Sequence, residues 1–135
     1  MVTFTIPGLP VPKGRPKFAV RGGFARAYTP AKTKTYEQVV ATYARIAIKT
    51  PLDGALCVDL TFTLPIPAST SKKLAVALLN GLHQKKPDLD NLIKAVTDGL
   101  NGIAYFDDSQ LWQITARKIY GLEPCVIINL RKTDN

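Results

Sequence analysis

Four segments of the chain are predicted as β-strands from their hydrophobic and polar positions. Residues 2–6 and 56–64 alternate apolar and polar side chains, the pattern of half-buried strands. Residues 111–120 and 125–130 are rich in β-branched and aromatic side chains, which favour extended structure. Because only the turn-forming residues 121–124 separate these last two strands, they are predicted to pair as a hairpin.

Three further segments are predicted as helices. Residues 30–49, and a segment that begins near Asp90, carry apolar side chains at helical spacing. Asn101-Gly102 is expected to end the second of these helices. A shorter helix is expected from the capping residues 69–71 to about Asn80. This order of elements predicts an α+β domain, in which helices pack on one face of a small mixed β-sheet.

The chain is predicted to fold as a single domain over residues 1–135. That length suits one domain, a hydrophobic content of 46% is enough for a core, and no internal repeat or linker interrupts the pattern. Cys57 and Cys125 lie in apolar runs and are expected to be free thiols. No signal peptide or long apolar segment is visible, so we expect no membrane association and a cytoplasmic location, in a bacterial cell or for a phage protein in its host.

The net charge of +8 is concentrated in the first part of the chain. Residues 1–50 carry nine basic side chains and one acidic side chain, and the remaining residues balance nine against nine. Proline and glycine predict a basic loop or loose hairpin over residues 7–31. Such a surface favours a polyanion such as DNA, although excess charge can also serve solubility alone. The expected phosphate contacts are Lys13, Arg15, Lys17, Arg21, Arg26, Lys85 and Lys86.

Three aromatic residues lie within the basic loop. Phe18, Phe24 and Tyr28 alternate with its lysines and arginines. Aromatic rings placed in this way can stack on nucleic-acid bases while the cations bind phosphates. For each single ring, anchoring the loop to the core is an equally reasonable interpretation.

Two acidic pairs carry the candidate chemistry. Asp88 and Asp90 precede the predicted helix, and Asp107-Asp108 follows it, where the chain can return toward the start of the helix. Mg²⁺ prefers oxygen ligands, needs only a few carboxylates and retains water molecules. The simpler interpretations are a helix cap for the first pair and a polar turn for the second.

Lys94 shares one helical face with Asp90 and Asp98, four residues to either side. An ion-pair ladder worth about 0.2–0.5 kcal/mol per pair explains this spacing. Equally, a lysine beside a metal-bound phosphodiester can neutralise the charge that develops during hydrolysis. His83 is the only histidine, which argues against a multi-histidine zinc site and a histidine-based triad, and we expect it in a loop that contacts phosphate or solvent. The chain has no Gly-x-x-x-x-Gly-Lys-[Ser/Thr] loop, so no nucleotide cofactor is expected.

A longer sequence motif surrounds the two acidic pairs. Residues 85–95 read Lys-Lys-Pro-Asp-Leu-Asp-Asn-Leu-Ile-Lys-Ala, and Asp98-Gly99-Leu100 and Asp107-Asp108-Ser109-Gln110 follow downstream. This combination resembles the RusA family of Holliday-junction resolvases, the crossover junction endodeoxyribonucleases. The resemblance is strong over about residues 83–110 and looser elsewhere. It implies a homodimeric α+β nuclease that uses Mg²⁺, or Mn²⁺ in its place, to nick opposed strands of a four-way DNA junction. The chain departs from some family members in its Lys-Gly-Arg-Pro segment and the long basic loop that follows.

The resemblance also implies roles for individual residues. Asp88 and Asp90 resemble the family's paired metal ligands, Asp108 its downstream acidic residue and Lys94 its catalytic lysine, while Asp107 is the alternative to Asp108. Asn91 and Asp98 match the pattern as supporting residues. The resulting hypothesis is a Mg²⁺-dependent endonuclease that resolves Holliday junctions by paired nicks in DNA recombination and repair. A noncatalytic nucleic-acid-binding module, and a nuclease of the same fold that acts on flaps or forks, are the alternatives.

Overall fold

The computed structural model describes residues 1–134, apart from the side chain of Arg21. Its strands are β1 (Val2–Pro7), β2 (Lys17–Arg21), β3 (Phe24–Tyr28), β4 (Leu56–Pro65), β5 (Leu111–Gly121) and β6 (Cys125–Lys132). Its helices are α1 (Ala31–Ala47), α2 (Lys72–Leu78) and α3 (Leu89–Leu100), and a short 3₁₀ turn covers Asp108–Gln110. The predicted elements are therefore confirmed in kind and in order.

The main sheet has four strands in the order β1-β6-β4-β5. β4 runs parallel to β5 and antiparallel to β6, and β1 is antiparallel to β6. The fold is thus a mixed sheet with helices, as the α+β prediction states.

The predicted hairpin between β5 and β6 is wrong, because β4 lies between the two strands. Residues 122–124 instead cross the end of β4. They connect Gly121 of β5, which pairs with Pro65, to Cys125 of β6, which pairs with Thr63. Gly121 makes this crossing possible, since a Cβ atom at this position would lie 2.3 Å from Cγ2 of Thr63. A short connection therefore skips one strand instead of forming a tight turn.

The core lies between one face of the sheet and the helices α1 and α3. Strand β6 buries every second side chain, Val126, Ile128 and Leu130, while β4 buries seven of its ten residues as the central strand. Both long helices contribute to the same apolar cluster, whereas α2 buries none of its side chains. Among the described residues no helix is long and apolar enough to cross a membrane.

The remaining local predictions are confirmed with small shifts of boundary. The basic segment contains the two-stranded hairpin β2-β3, which turns at Gly22 and Gly23 with positive φ angles. Ser71 caps α2 by accepting a hydrogen bond from the Leu74 amide. Both cysteines are free thiols, Cys57 buried and Cys125 half-buried.

Candidate active site

Helix α3 presents one polar face to solvent because its other face belongs to the core. Leu92, Val96 and Leu100 are fully buried and fix the rotation of the helix. Asp90 and Lys94 therefore point outward, one turn apart.

The chain returns along α3 after the helix ends, as its sequence predicts. Gly102 turns the chain with a φ of 80°, a left-handed conformation that favours glycine. Tyr105 is then fully buried, and its hydroxyl donates a 2.6 Å hydrogen bond to the Thr97 carbonyl of α3. Burial is the main cause that raises the pKa of Tyr105, so this hydroxyl remains a donor. The residues that follow Tyr105 are thus held beside α3.

Asp107 and Asp108 differ in what their side chains contact. The Asp107 carboxylate caps the 3₁₀ turn by accepting a 3.0 Å hydrogen bond from the Ser109 amide. The side chain of Ser109, followed by its amide, lowers the pKa of Asp107. The side chain of Gln110 completes the cap and also donates to the carbonyls of Leu52 and Gly54, each at 2.9 Å. Asp108 makes no such cap, and it faces an open cleft against α3.

The cleft brings together the second acid of each predicted pair. Its volume is about 260 Å³. Asp90, Lys94 and Thr97 line it from α3, and Asp108 lines it from the 3₁₀ turn. Its apolar walls are Ile93, Leu111 and Ile114. Two carboxylates and an ammonium group therefore share one solvent-accessible surface.

Asp88 occupies the N-cap position of α3 but does not line the cleft. Its carboxylate accepts a 2.6 Å hydrogen bond from the Lys86 ammonium, which is the main cause that lowers the pKa of Asp88. Within residues 1–134, no three His, Cys, Asp or Glu side chains are grouped to hold a metal ion. The structure thus brings Asp90 and Asp108 together and leaves Asp88 to one side. A pair of carboxylates still suits Mg²⁺, which is commonly bound by one or two of them together with water and substrate phosphate.

Lys94 forms one of its two predicted ion pairs, the one with Asp98. Its ammonium group lies 2.8 Å from Asp98, and the ion pairs of the described residues do not include one with Asp90. The Asp90 carboxylate contacts instead the amide of the next residue, Asn91, at 2.9 Å. Asp90 therefore remains open toward the cleft.

Lys118 is a structural contributor that the sequence pattern does not reveal. From β5 its ammonium group donates to the carbonyls of Lys85 and Pro87, at 2.6 and 2.7 Å. It thereby holds the segment that leads into Asp88. In the sequence, Lys118 is one of two adjacent cations in a strand, and nothing in its spacing distinguishes it from a surface lysine.

The predicted phosphate contacts differ in their exposure to solvent. Arg15, Lys17, Arg26, Lys85 and Lys86 are exposed. Lys13 is only 21% exposed and pairs with Glu37 and Asp98, while the side chain of Arg21 lies outside the described part of the chain.

The rings of Phe18 and Phe24 are 74% and 71% exposed, so these two aromatics do not anchor the hairpin to the core. Tyr28 is less exposed, at 48%. The hairpin therefore presents exposed cations interleaved with accessible rings, as stacking on bases would require.

His83 lies in a loop, as predicted, and packs on a core aromatic. Its ring centroid lies 4.6 Å from that of Tyr120, and its Nδ1 atom is buried without a hydrogen-bond partner among the described residues. Burial, followed by the charge of Lys118, lowers the pKa of His83. Its neutral form is therefore favoured.

Comparison with known proteins identifies the family. A family model described as endodeoxyribonuclease RusA matches residues 7–131, which include both acidic pairs, Lys94 and the basic hairpin. A Bacillus subtilis (strain 168) protein described as uncharacterized protein YqaN is 37% identical over 136 residues, covering 97% of this chain and 96% of that protein. The chain belongs to the RusA family of endodeoxyribonucleases.

Proposed function

We propose that this chain is a Mg²⁺-dependent endodeoxyribonuclease that resolves Holliday junctions by paired nicks in DNA recombination and repair. The observation that carries the proposal is the shared cleft of Asp90, Asp108 and Lys94 in a member of a DNA nuclease family. The cleft is open, so an extended phosphodiester can reach it without unfolding any element.

Asp90 and Asp108 would hold the divalent cation, which can be Mg²⁺ or Mn²⁺. Asp88 would supply a third carboxylate once Lys86 leaves it for a DNA phosphate. That exchange is inexpensive because both side chains of the pair are well exposed to water. A cation held there would polarise the scissile phosphate and would lower the pKa of a water nucleophile.

Lys94 would act directly on the reacting phosphate. Its side chain is 56% exposed and lines the same cleft as both carboxylates. An ammonium group at this position can donate to a non-bridging phosphate oxygen and stabilise the negative charge that develops there. Asp98 accepts a hydrogen bond from the same ammonium group and would keep it oriented before the phosphate arrives.

The exposed cations would supply affinity for DNA without sequence preference. Contacts to phosphates position a protein on DNA, whereas base edges specify sequence. Lys85 and Lys86 immediately precede α3, which lines the cleft, and the hairpin cations precede α1, which packs against α3.

Two nicks placed symmetrically across a four-way junction require two cleavage sites, which a two-fold homodimer supplies. We place this activity in the cytoplasm, where both thiols would remain reduced.

A substrate panel tests this proposal. The purified chain is incubated with end-labelled four-way junction, flap, fork and linear duplex DNA, with Mg²⁺, with Mn²⁺ or with a chelator. The proposal predicts paired nicks in the junction that require the cation and far slower cleavage of the other substrates. Comparable rates on flaps or forks would instead favour a nuclease of the same fold that acts on those substrates. Tight junction binding without any cleavage would favour a noncatalytic module.

A further inference from the structure

A series of ion pairs among four charged side chains connects the N-terminal segment to the cleft. The two carboxylate oxygens of Asp98 contact different lysines, Oδ1 at 2.8 Å from Lys94 and Oδ2 at 3.0 Å from Lys13. The ammonium group of Lys13 also lies 2.5 Å from Oε1 of Glu37 on α1. The charges alternate in sign from Glu37 through Lys13 and Asp98 to Lys94.

Three of these four side chains are mostly buried, and only the one at the cleft is well exposed. Lys13, Glu37 and Asp98 have side chains that are 21%, 22% and 20% exposed, while Lys94 is 56% exposed. Burial alone would lower the pKa of Lys13, but its hydrogen bonds to Glu37 and Asp98 outweigh burial and raise it. Lys13 therefore stays charged, and it bridges two carboxylates that would otherwise repel each other.

The backbone fixes Lys13 in this position. Its amide donates a 2.8 Å hydrogen bond to the Asn91 carbonyl of α3, and the amide of Gly14 donates to Oγ1 of Thr33 on α1 at 2.9 Å. The two helices also approach closely here, since a Cβ atom on Gly99 would lie 3.1 Å from the Glu37 carbonyl. Lys13 is thus seated between α1 and α3, with little freedom to move.

We propose that Lys13 and Asp98 are positioning residues for the nuclease reaction. Lys13 fixes the orientation of the Asp98 carboxylate, whose other oxygen holds the Lys94 ammonium at the wall of the cleft. This inference rests on the proposed function of Lys94 and assigns Lys13 a role other than phosphate binding. Strand β2 begins only four residues after Lys13. Lys13 would therefore anchor the start of the basic hairpin as well as orient the ammonium group of Lys94.

The kinetic test removes each link and compares turnover with binding. Lys13→Met and Asp98→Asn are each expected to lower kcat about tenfold to a hundredfold while KM changes little, since misplacing a catalytic group affects turnover. Lys13→Arg, which keeps the charge, should recover most of the activity. Lys132→Met is the matched control for the loss of a lysine charge, because the ion pair of Lys132 with Asp53 includes no residue that lines the cleft. Melting temperatures of all variants verify that they are folded.

A variant that lacks Lys94 separates positioning from a general structural role. In a Lys94→Gln background, adding Asp98→Asn should cause no further loss of cleavage, because Asp98 acts through Lys94. An equal further loss in both backgrounds would overturn the proposal. So would a Lys13→Met variant that changes only KM and the salt dependence of binding, which would identify Lys13 as a phosphate contact.

A measurement that needs no cleavage keeps the two proposals distinguishable. The Nζ and Cε resonances of Lys94 are recorded by NMR in wild type, Lys13→Met and Lys132→Met. We expect Lys13→Met to shift the Lys94 resonances and Lys132→Met to leave them in place. Unchanged Lys94 resonances in Lys13→Met would overturn the positioning role even if the enzyme is active. Conversely, a shift in a protein that cleaves no substrate would support the geometry and refute the proposed nuclease activity.

Discussion

At the scale of single residues, Asp107 and Asp108 are neighbours in sequence, but their carboxylates make different contacts. Asp107 caps the 3₁₀ turn, and Asp108 faces the cleft. Replacing Asp108 by Asn should slow cleavage about a hundredfold or more, because a carboxylate that holds a catalytic cation contributes several kcal/mol to the transition state. Asp107→Asn should retain activity within about tenfold of wild type, because Asn caps helices as well as Asp does.

Single-turnover cleavage of a labelled four-way junction at saturating Mg²⁺ measures both effects. The pair serves as its own control, since the two substitutions are chemically identical and adjacent. Equal losses in the two variants would show that the assignment of Asp108 to the cleft is wrong.

His83 provides a prediction on pH, also at the residue scale. Burial against Tyr120 and the charge of Lys118 lower the pKa of His83, so the folded state favours the neutral ring. A depressed folded-state pKa adds stability above the unfolded value of about 6.5, and that stability is lost as the pH falls through the folded value. We expect the ring protons of this single histidine to titrate in NMR spectra with a midpoint below about 6.5.

A His83→Gln variant, which does not titrate, is the control for stability. The free energy of unfolding of wild type should fall more steeply than that of the variant between about pH 7 and pH 5. A midpoint at or above about 6.5, or equal slopes for the two proteins, would contradict the prediction.

At the scale of elements, the sequence indicates the strands correctly but not the pairing of the last two. Periodicity reports which residues of a strand are buried, and it carries no information on which strand lies alongside. Strand β4 is central in the sheet and has seven of its ten residues buried, but its sequence alternates apolar and polar side chains like that of a half-buried strand. Gly121 gives no sequence signal either, because its contact with Thr63 exists only in three dimensions.

The packing of α1 against α3 gives a prediction whose sign is decided by two opposed effects. Gly99→Ala would raise helix propensity, a gain of about 1 kcal/mol in an exposed helix. Its new Cβ atom, however, would lie 2.8 Å from both Cβ and Cγ1 of Val40. Overpacking of this kind costs about 1–3 kcal/mol, so we expect a net decrease in the free energy of unfolding.

Urea denaturation of wild type and Gly99→Ala measures that difference. Gly99 is adjacent to Asp98 and also lies close to the Glu37 carbonyl of α1. Separating the two helices should therefore disturb the ion pairs of Lys13, and junction cleavage should decrease together with stability. A variant that is more stable than wild type would show that the two helices are not in close contact at Gly99.

At the scale of the whole molecule, the excess of positive charge predicts how DNA binding depends on salt. The slope of the logarithm of the binding constant against that of the salt concentration changes by about 0.9 for each phosphate contact in duplex DNA. Arg15→Gln and Arg26→Gln remove exposed cations and should each reduce the slope by nearly that amount. Lys13→Met should leave it almost unchanged, because that ammonium group is paired internally.

These slopes are measured by fluorescence anisotropy on a labelled junction, in an Asp108→Asn background and without a divalent cation, so that cleavage does not interfere. Lys132→Met serves as a control for the loss of a positive charge elsewhere on the molecule. A reduction for Lys13→Met as large as that for Arg15→Gln would show that Lys13 contacts phosphate.

Much of the candidate site could be predicted because its residues lie within short reach of one helix. Asp90 and Lys94 follow from helical spacing, and the return of the chain after Gly102 brings Asp108 to them. The pairing of Asp88 with Lys86 and the burial of Lys13 could not be predicted, because each depends on rotamers and on contacts between distant segments. Charge counting assigned Lys13 to DNA, whereas the fold surrounds it with Glu37 and Asp98.

One measurement tests most directly whether the cleft is a cation-dependent nuclease site. Wild type and Asp90→Asn are compared for binding and for cleavage of the same labelled four-way junction, with and without Mg²⁺. The proposed function predicts that wild type cleaves only with Mg²⁺, and that Asp90→Asn binds the junction with similar affinity but does not cleave it. Undiminished Mg²⁺-dependent cleavage by the purified Asp90→Asn variant would contradict it.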